Sequence, residues 1–89
     1  MLYDKLTKKE QEEVLNIYTQ KRNVYLGYKC EEEVGGLTKD QLINYSIATA
    51  ELNGVCEILY ALGVYGIVNG IYEEEILRES LKEGVNYEH

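Results

Sequence analysis

Residues 37–63 constrain the fold more than any other stretch. Leu37-Thr38-Lys39-Asp40-Gln41 reads as a hydrophobic residue, a Thr N-cap and a Gln three positions on. In this capping box the Thr oxygen takes an orphan backbone N–H and the Gln side chain reaches back to the cap. Tyr45, Ala48, Leu52, Val55, Leu59 and Leu62 then recur at spacings of 3, 4, 3, 4 and 3, the seam of a heptad-patterned helix. Ile43, Ile47, Ala50, Gly54, Ile58 and Ala61 form a second apolar stripe beside that seam, leaving only Ser46, Thr49, Asn53, Glu57 and Tyr60 as a polar strip. A helix apolar around most of its circumference is expected to be covered from more than one side. The spacing therefore predicts a central helix over about 39–62, stopped by Gly63.

A second box, Leu6-Thr7-Lys8-Lys9-Glu10, opens a helix over about 8–28. Val14, Ile17, Tyr18, Val24, Tyr25 and Tyr28 share one side of it, and Leu15 and Leu26 fall off that stripe. Glu31-Glu32-Glu33 and Gly35-Gly36 read as a solvated turn between the two helices. The two boxes are local helix-start chemistry, too short to be an internal repeat.

Residues 63–72 admit two readings. Asn69-Gly70 between Val-Tyr-Gly-Ile-Val and Ile-Tyr is a type I′ hairpin signal. The favoured reading makes 63–68 a connector or a continuation of the second helix and starts a third helix near residue 70, capped by Asn69, with Glu73, Glu74 and Glu75 at the positive end of its dipole. An isolated hairpin this short would be marginal. Gly84 is the expected stop, and residues 85–89 a loose tail. The expected fold is all-α: a single domain over 1–89, a small three-helix bundle with a long central helix, completed by dimerisation if the second stripe needs a cover.

Composition excludes several functions. The 89 residues carry 9 Lys and Arg against 16 Asp and Glu, a net charge of −7, which disfavours general nucleic-acid binding. Two lone cysteines, Cys30 and Cys56, cannot staple a secreted fold and lie too far apart in a helical hairpin to bond with each other. No apolar leader follows Met1, so a cytoplasmic location is expected. The uncharged run from Ile58 to Tyr72 is 15 residues long, short of the roughly 20 a spanning helix needs, so no membrane association is expected.

No residue pattern supports catalysis, and neither metal nor cofactor is expected. His89 is the one histidine, neither cysteine has a base beside it, and phosphate-loop, dinucleotide and calcium-loop spacings are absent. Lys21, Arg22, Tyr25, Tyr28 and Lys29 make a small basic and aromatic cluster, read as core rings and helix-end cations rather than as a nucleic-acid grip. Charge is placed unevenly: residues 1–30 carry +2 and residues 31–89 carry −9. The leading expectation is a non-enzymatic protein-binding regulator or inhibitor. It would dock a carboxylate face (Glu31, Glu32, Glu33, Glu73, Glu74, Glu75) on a basic surface of a larger partner, where carboxylates stand in for phosphates. Small Tyr- and Glu-rich chains of this kind are common among phage and mobile-element accessory proteins. The alternative is a self-assembling helical protein whose homo-oligomer interface is Tyr45, Ala48, Leu52, Val55, Leu59 and Leu62, or the stripe through Gly54.

Overall fold

Both capping boxes form as read. In the computed structural model, which describes the backbone of residues 2–87 and the side chains of residues 2–82, the Glu10 amide donates to Thr7 Oγ1 at 3.1 Å and the Thr7 amide to Glu10 Oε1 at 2.8 Å. The same reciprocal pair joins Thr38 and Gln41 at 3.2 and 2.9 Å. A one-turn helix α1 (Leu2–Lys5) precedes three long ones, α2 (Lys8–Gly35), α3 (Lys39–Ala61) and α4 (Tyr65–Tyr87). The fold is an all-α small helical bundle.

Three boundaries differ from the sequence reading. Helix α2 runs through Glu31–Glu33 to Gly35, because glutamates are good helix formers and nothing stops the helix before Gly36. Gly36 turns at φ 81°, and its amide donates to the carbonyls of Glu31 and Glu32. The stop at Gly63 is as read, with φ 72°. Helix α4 begins at Tyr65, five residues before the expected start, and passes through Gly84 to Tyr87. Residues 85–87 are therefore helical where a tail was expected; Glu88 and His89 lie outside the described residues. A type I′ turn at Asn69-Gly70 would need positive φ at both central residues. Among the described residues, only Gly36 and Gly63 have positive φ.

Burial explains why α4 starts early. Val64, Val68 and Tyr72 recur every four residues and are 2%, 0% and 2% exposed, so the helix has a continuous apolar edge from its first turn. That edge meets Tyr18 (0% exposed), Leu59 and Tyr3 in a single core cluster, with Leu15, Leu52, Val55 and Cys56 packed around it. Tyr3 belongs to α1, a turn that sequence periodicity did not reveal; the Gln11 side-chain amide holds it by donating to the Tyr3 carbonyl at 2.9 Å.

Helix α2 touches α3 and α4 and, through Gln11, α1, and α3 in turn touches both α2 and α4. Helices α2 and α3 form an antiparallel hairpin through the Tyr45–Leu62 seam. Its register is set by Lys21 on Glu51 (2.7 Å) and by Tyr25 and Tyr28 on the Tyr45 ring (centroids 5.7 and 6.2 Å). Helix α4 crosses one side of this hairpin. Together the helices form a flat body of 44 × 41 × 18 Å, too thin for a layer on the other side.

Candidate interaction surface

The α4 side of the hairpin is closed by a polar lock set among tyrosines. The Tyr18 hydroxyl donates to Asn69 Oδ1 at 2.6 Å, and Arg22 Nη1 donates to both, at 2.7 and 2.9 Å. Tyr72 donates to Asn23 Oδ1 at 2.8 Å. The Tyr18 ring meets Tyr65 and Tyr72 edge-on, with centroids 6.0 and 5.6 Å apart, and the Arg22 guanidinium lies 5.0 Å from the Tyr72 centroid. Burial works against the Arg22 charge, but the Tyr18 hydroxyl and the neighbouring phenols outweigh it and hold the guanidinium protonated more firmly than usual. Every polar group in this lock serves the docking of α4. Of the basic and aromatic cluster, Arg22 joins this lock, Lys21 pairs with Glu51, and Tyr25 and Tyr28 pack against Tyr45, while Lys29 is exposed.

The opposite side of the hairpin is open. At about 100° of turn per residue, Ile58 lies roughly 200° round α3 from Tyr60, whose ring stacks on Tyr65 of α4 at 4.1 Å. Ile17 likewise lies about 140° round α2 from Arg22. Ile17, Val24, Ile47, Ile58 and Leu62 are each about half exposed (50%, 47%, 52%, 62% and 50%). At one end they border a groove of about 220 Å³ lined by Val14, Ile17, Val55, Ile58, Leu59 and Leu62. Exposed apolar residues scattered singly are ordinary, whereas here several lie on one side of the hairpin, with an apolar groove at one end and the Lys21–Glu51 pair between them.

The structure sorts the two stripes of α3. The seam Tyr45, Ala48, Leu52, Val55, Leu59 and Leu62, expected as an oligomer interface, faces α2 of the same chain. Ala48 and Leu59 are buried, Tyr45, Leu52 and Val55 half-buried, and only Leu62 is exposed. The second stripe is the free one: Ile43, Ile47, Ala50, Ile58 and Ala61 are exposed and Gly54 half-exposed. On α2, Ile17 and Val24 share the open side, whereas Leu15 and Leu26, read as off the stripe, are half-buried.

All six glutamates expected to bind a partner are exposed, on two separate helices. Glu31, Glu32 and Glu33 end α2 beside its turn into α3, about 12 Å along the helix from the α4 crossing at Asn23. Glu73, Glu74 and Glu75 occupy the third turn of α4 rather than its first, so the helix dipole does little for them. They also diverge. Glu74 pairs with Arg78 at 3.6 Å, while Glu75 lines a small cleft against Thr19 and Asn23 of α2.

Neither cysteine is bonded; Cys30 is exposed, and burial pushes the half-buried Cys56 thiol up from its ordinary pKa while the Arg22 charge draws it back in part. Among the described residues, no three His, Cys, Asp or Glu side chains converge to hold a metal ion. No helix among the described residues is long and apolar enough to cross a membrane. Comparison with protein-family models, with curated proteins and with solved structures finds no match.

Proposed function

We propose that this chain is a non-enzymatic protein-interaction module that works through the open side of its α2–α3 hairpin. One observation carries the reading: Tyr18, Arg22 and Asn23 turn their polar groups to α4, while Ile17, Val24, Ile47, Ile58 and Leu62 stay about half exposed on the other side, around the Lys21–Glu51 pair. Covering that side with protein removes apolar surface from water at about 25 cal/mol per Å². Ile17, Val24, Ile47, Ile58 and Leu62 are not members of the core cluster under α4, so they can be altered without stripping that core. The direct test compares lysate proteins retained by the wild-type chain with those retained by Ile58→Glu, with chain self-association followed by sedimentation. The variant is expected to stay helical and to lose what the wild type holds, whether a second copy or another protein. Identical behaviour of the two chains would end this reading.

A second reading rests on the acidic surface. Exposed carboxylates on α2 and α4, in a chain of net charge −7, suit docking on a basic surface of a larger protein, as a regulator or inhibitor would. Binding of that kind weakens as salt screens it, and a Glu73→Gln, Glu74→Gln, Glu75→Gln chain should slow association. The two modes are compatible, because the carboxylates and the apolar face belong to different parts of the surface.

A further inference from the structure

We infer that the partner on the open face is a second copy of this chain, related by a two-fold axis that runs parallel to α2 and α3 in the plane of the face, so that α2 of each copy lies on α3 of the other. The inference rests on the reading of this face as a contact surface and adds its occupant and geometry. The argument comes from an ion pair that crosses the face. Lys21 on α2 and Glu51 on α3 lie at the same height, 2.7 Å apart, between the Ile17–Ile58 end and the Val24–Ile47 end. Two faces that meet must be related by an axis lying in their common plane. An axis along the helices preserves height and exchanges α2 for α3, so Lys21 of one copy comes over Glu51 of the other, and Glu51 over Lys21. An axis across the helices at this height would instead set Lys21 over Lys21 and Glu51 over Glu51, a costly juxtaposition at close range.

The apolar residues obey the same geometry. With height preserved, Ile17 meets Val55 and Ile58 of the other copy, since these residues already share one level in the groove. Counting three residues on from Lys21 and three back from Glu51 brings Val24 level with Ala48, next to Ile47. Apolar therefore meets apolar at both ends, and the opposite charges pair in the middle. The result is a four-helix layer built from two hairpins, with α4 of each copy on the outside. A heterologous basic partner would be steered to the carboxylates of the −7 chain and finds no net charge to pair with at the centre of this face.

The test uses the full chain with Cys30→Ser and Cys56→Ala, so that introduced thiols are the only ones. Chains carrying Ile17→Cys are mixed with chains carrying Ile58→Cys, oxidised gently, and separated without reductant. Mixed 17–58 disulfide dimers should dominate, while each chain alone should cross-link poorly. Sedimentation of the unmodified chain should give about twice 10.3 kDa. Ile58→Glu, altering both halves of an isologous contact, should weaken association by about 100-fold or more. Raised salt should leave association intact or strengthen it, because it screens repulsion between two acidic chains. Dominant 17–17 dimers would overturn the axis, and a monomer at every concentration would overturn the second copy as occupant. In that last case, loss of another captured protein on Ile58→Glu would leave the contact surface standing, and no loss would remove both.

Discussion

Ile17 and Tyr18 are neighbours in the chain with opposite fates: Tyr18 has no exposed surface, and Ile17 is half exposed. Hydrophobicity alone would place them the other way round. What separates them is α4, which lies on the Tyr18 side and supplies Asn69 as a hydrogen-bond acceptor for the buried hydroxyl. The comparison of the two sides of the hairpin teaches that stability and contact capacity have been divided between them. One side holds rings, a lock of polar groups and, among the described residues, the largest fully buried side chains, Tyr18 and Val68; the other holds half-exposed aliphatic side chains around a single ion pair. A buried polar group commits its side to one arrangement, because its partner must be in place. An aliphatic face carries no such commitment.

The strongest way to break this division is Tyr18→Ala. It removes a fully buried ring, leaves a cavity under α4, and strips Asn69 and Arg22 of a partner. A loss of about 3–5 kcal/mol in urea unfolding is expected, enough to leave an 89-residue chain marginal. A loss under about 1 kcal/mol would mean that α4 is not what secures the hairpin. Asn69→Ala acts on the same lock through its acceptor alone. The Tyr18 hydroxyl then loses its acceptor, and Arg22 one of its two, in a buried setting, and about 1–3 kcal/mol should go, with α4 losing amide protection before α2 and α3.

How much of this the sequence disclosed depends on the scale of the signal. Helix starts were legible at Thr7 and Thr38 because the capping box is complete within four residues, and the stop at Gly63 was legible because a positive φ favours glycine. The start of α4 was not, because Asn69-Gly70 is a strong local turn signal and Gly66 weakens the helix. Val64, Val68 and Tyr72 overrode both by burial against Tyr18, and the Asn69 side chain was recruited by a residue 51 positions away. Of the candidate surface, the second stripe of α3 was legible as apolar and in need of cover. The choice between the two stripes was not, since both repeat at helical spacing and only the placement of α2 decides which one is used inside the chain.

Alkaline pH sharpens the comparison because two groups with raised pKa values, Tyr65 and Cys56, lie on the covered side. Hydrogen bonding to Tyr18, then burial, raises the Tyr65 pKa, and burial raises that of Cys56. A raised folded value means that the folded chain holds these protons more tightly than the unfolded one. Their contribution is therefore complete below the unfolded values, near 8.5 for a thiol and 10 for a phenol, and is lost as pH rises through the folded values. Unfolding followed from pH 7 to 11 should show a level stretch and then a decline that steepens above about 10. Glu10 belongs to the opposite limb: hydrogen bonds from Thr7 lower its pKa, so its capping contribution fades as acid protonates it.

The smallest effect should come from the open side. Ile47→Ser truncates a side chain that is already 52% exposed, touches none of the lock, and replaces one residue of middling helix propensity with another. At concentrations where the chain is a monomer, its stability should fall within about 0.5 kcal/mol of the wild type. As concentration rises, the gap should widen, because a covered face adds association free energy to the wild type that the variant cannot match. The widening is the informative quantity, since no defect confined to a single chain depends on concentration. A gap that stayed constant across the range would place Ile47 outside any contact and confine the working part of the open side to the groove at Ile17 and Ile58.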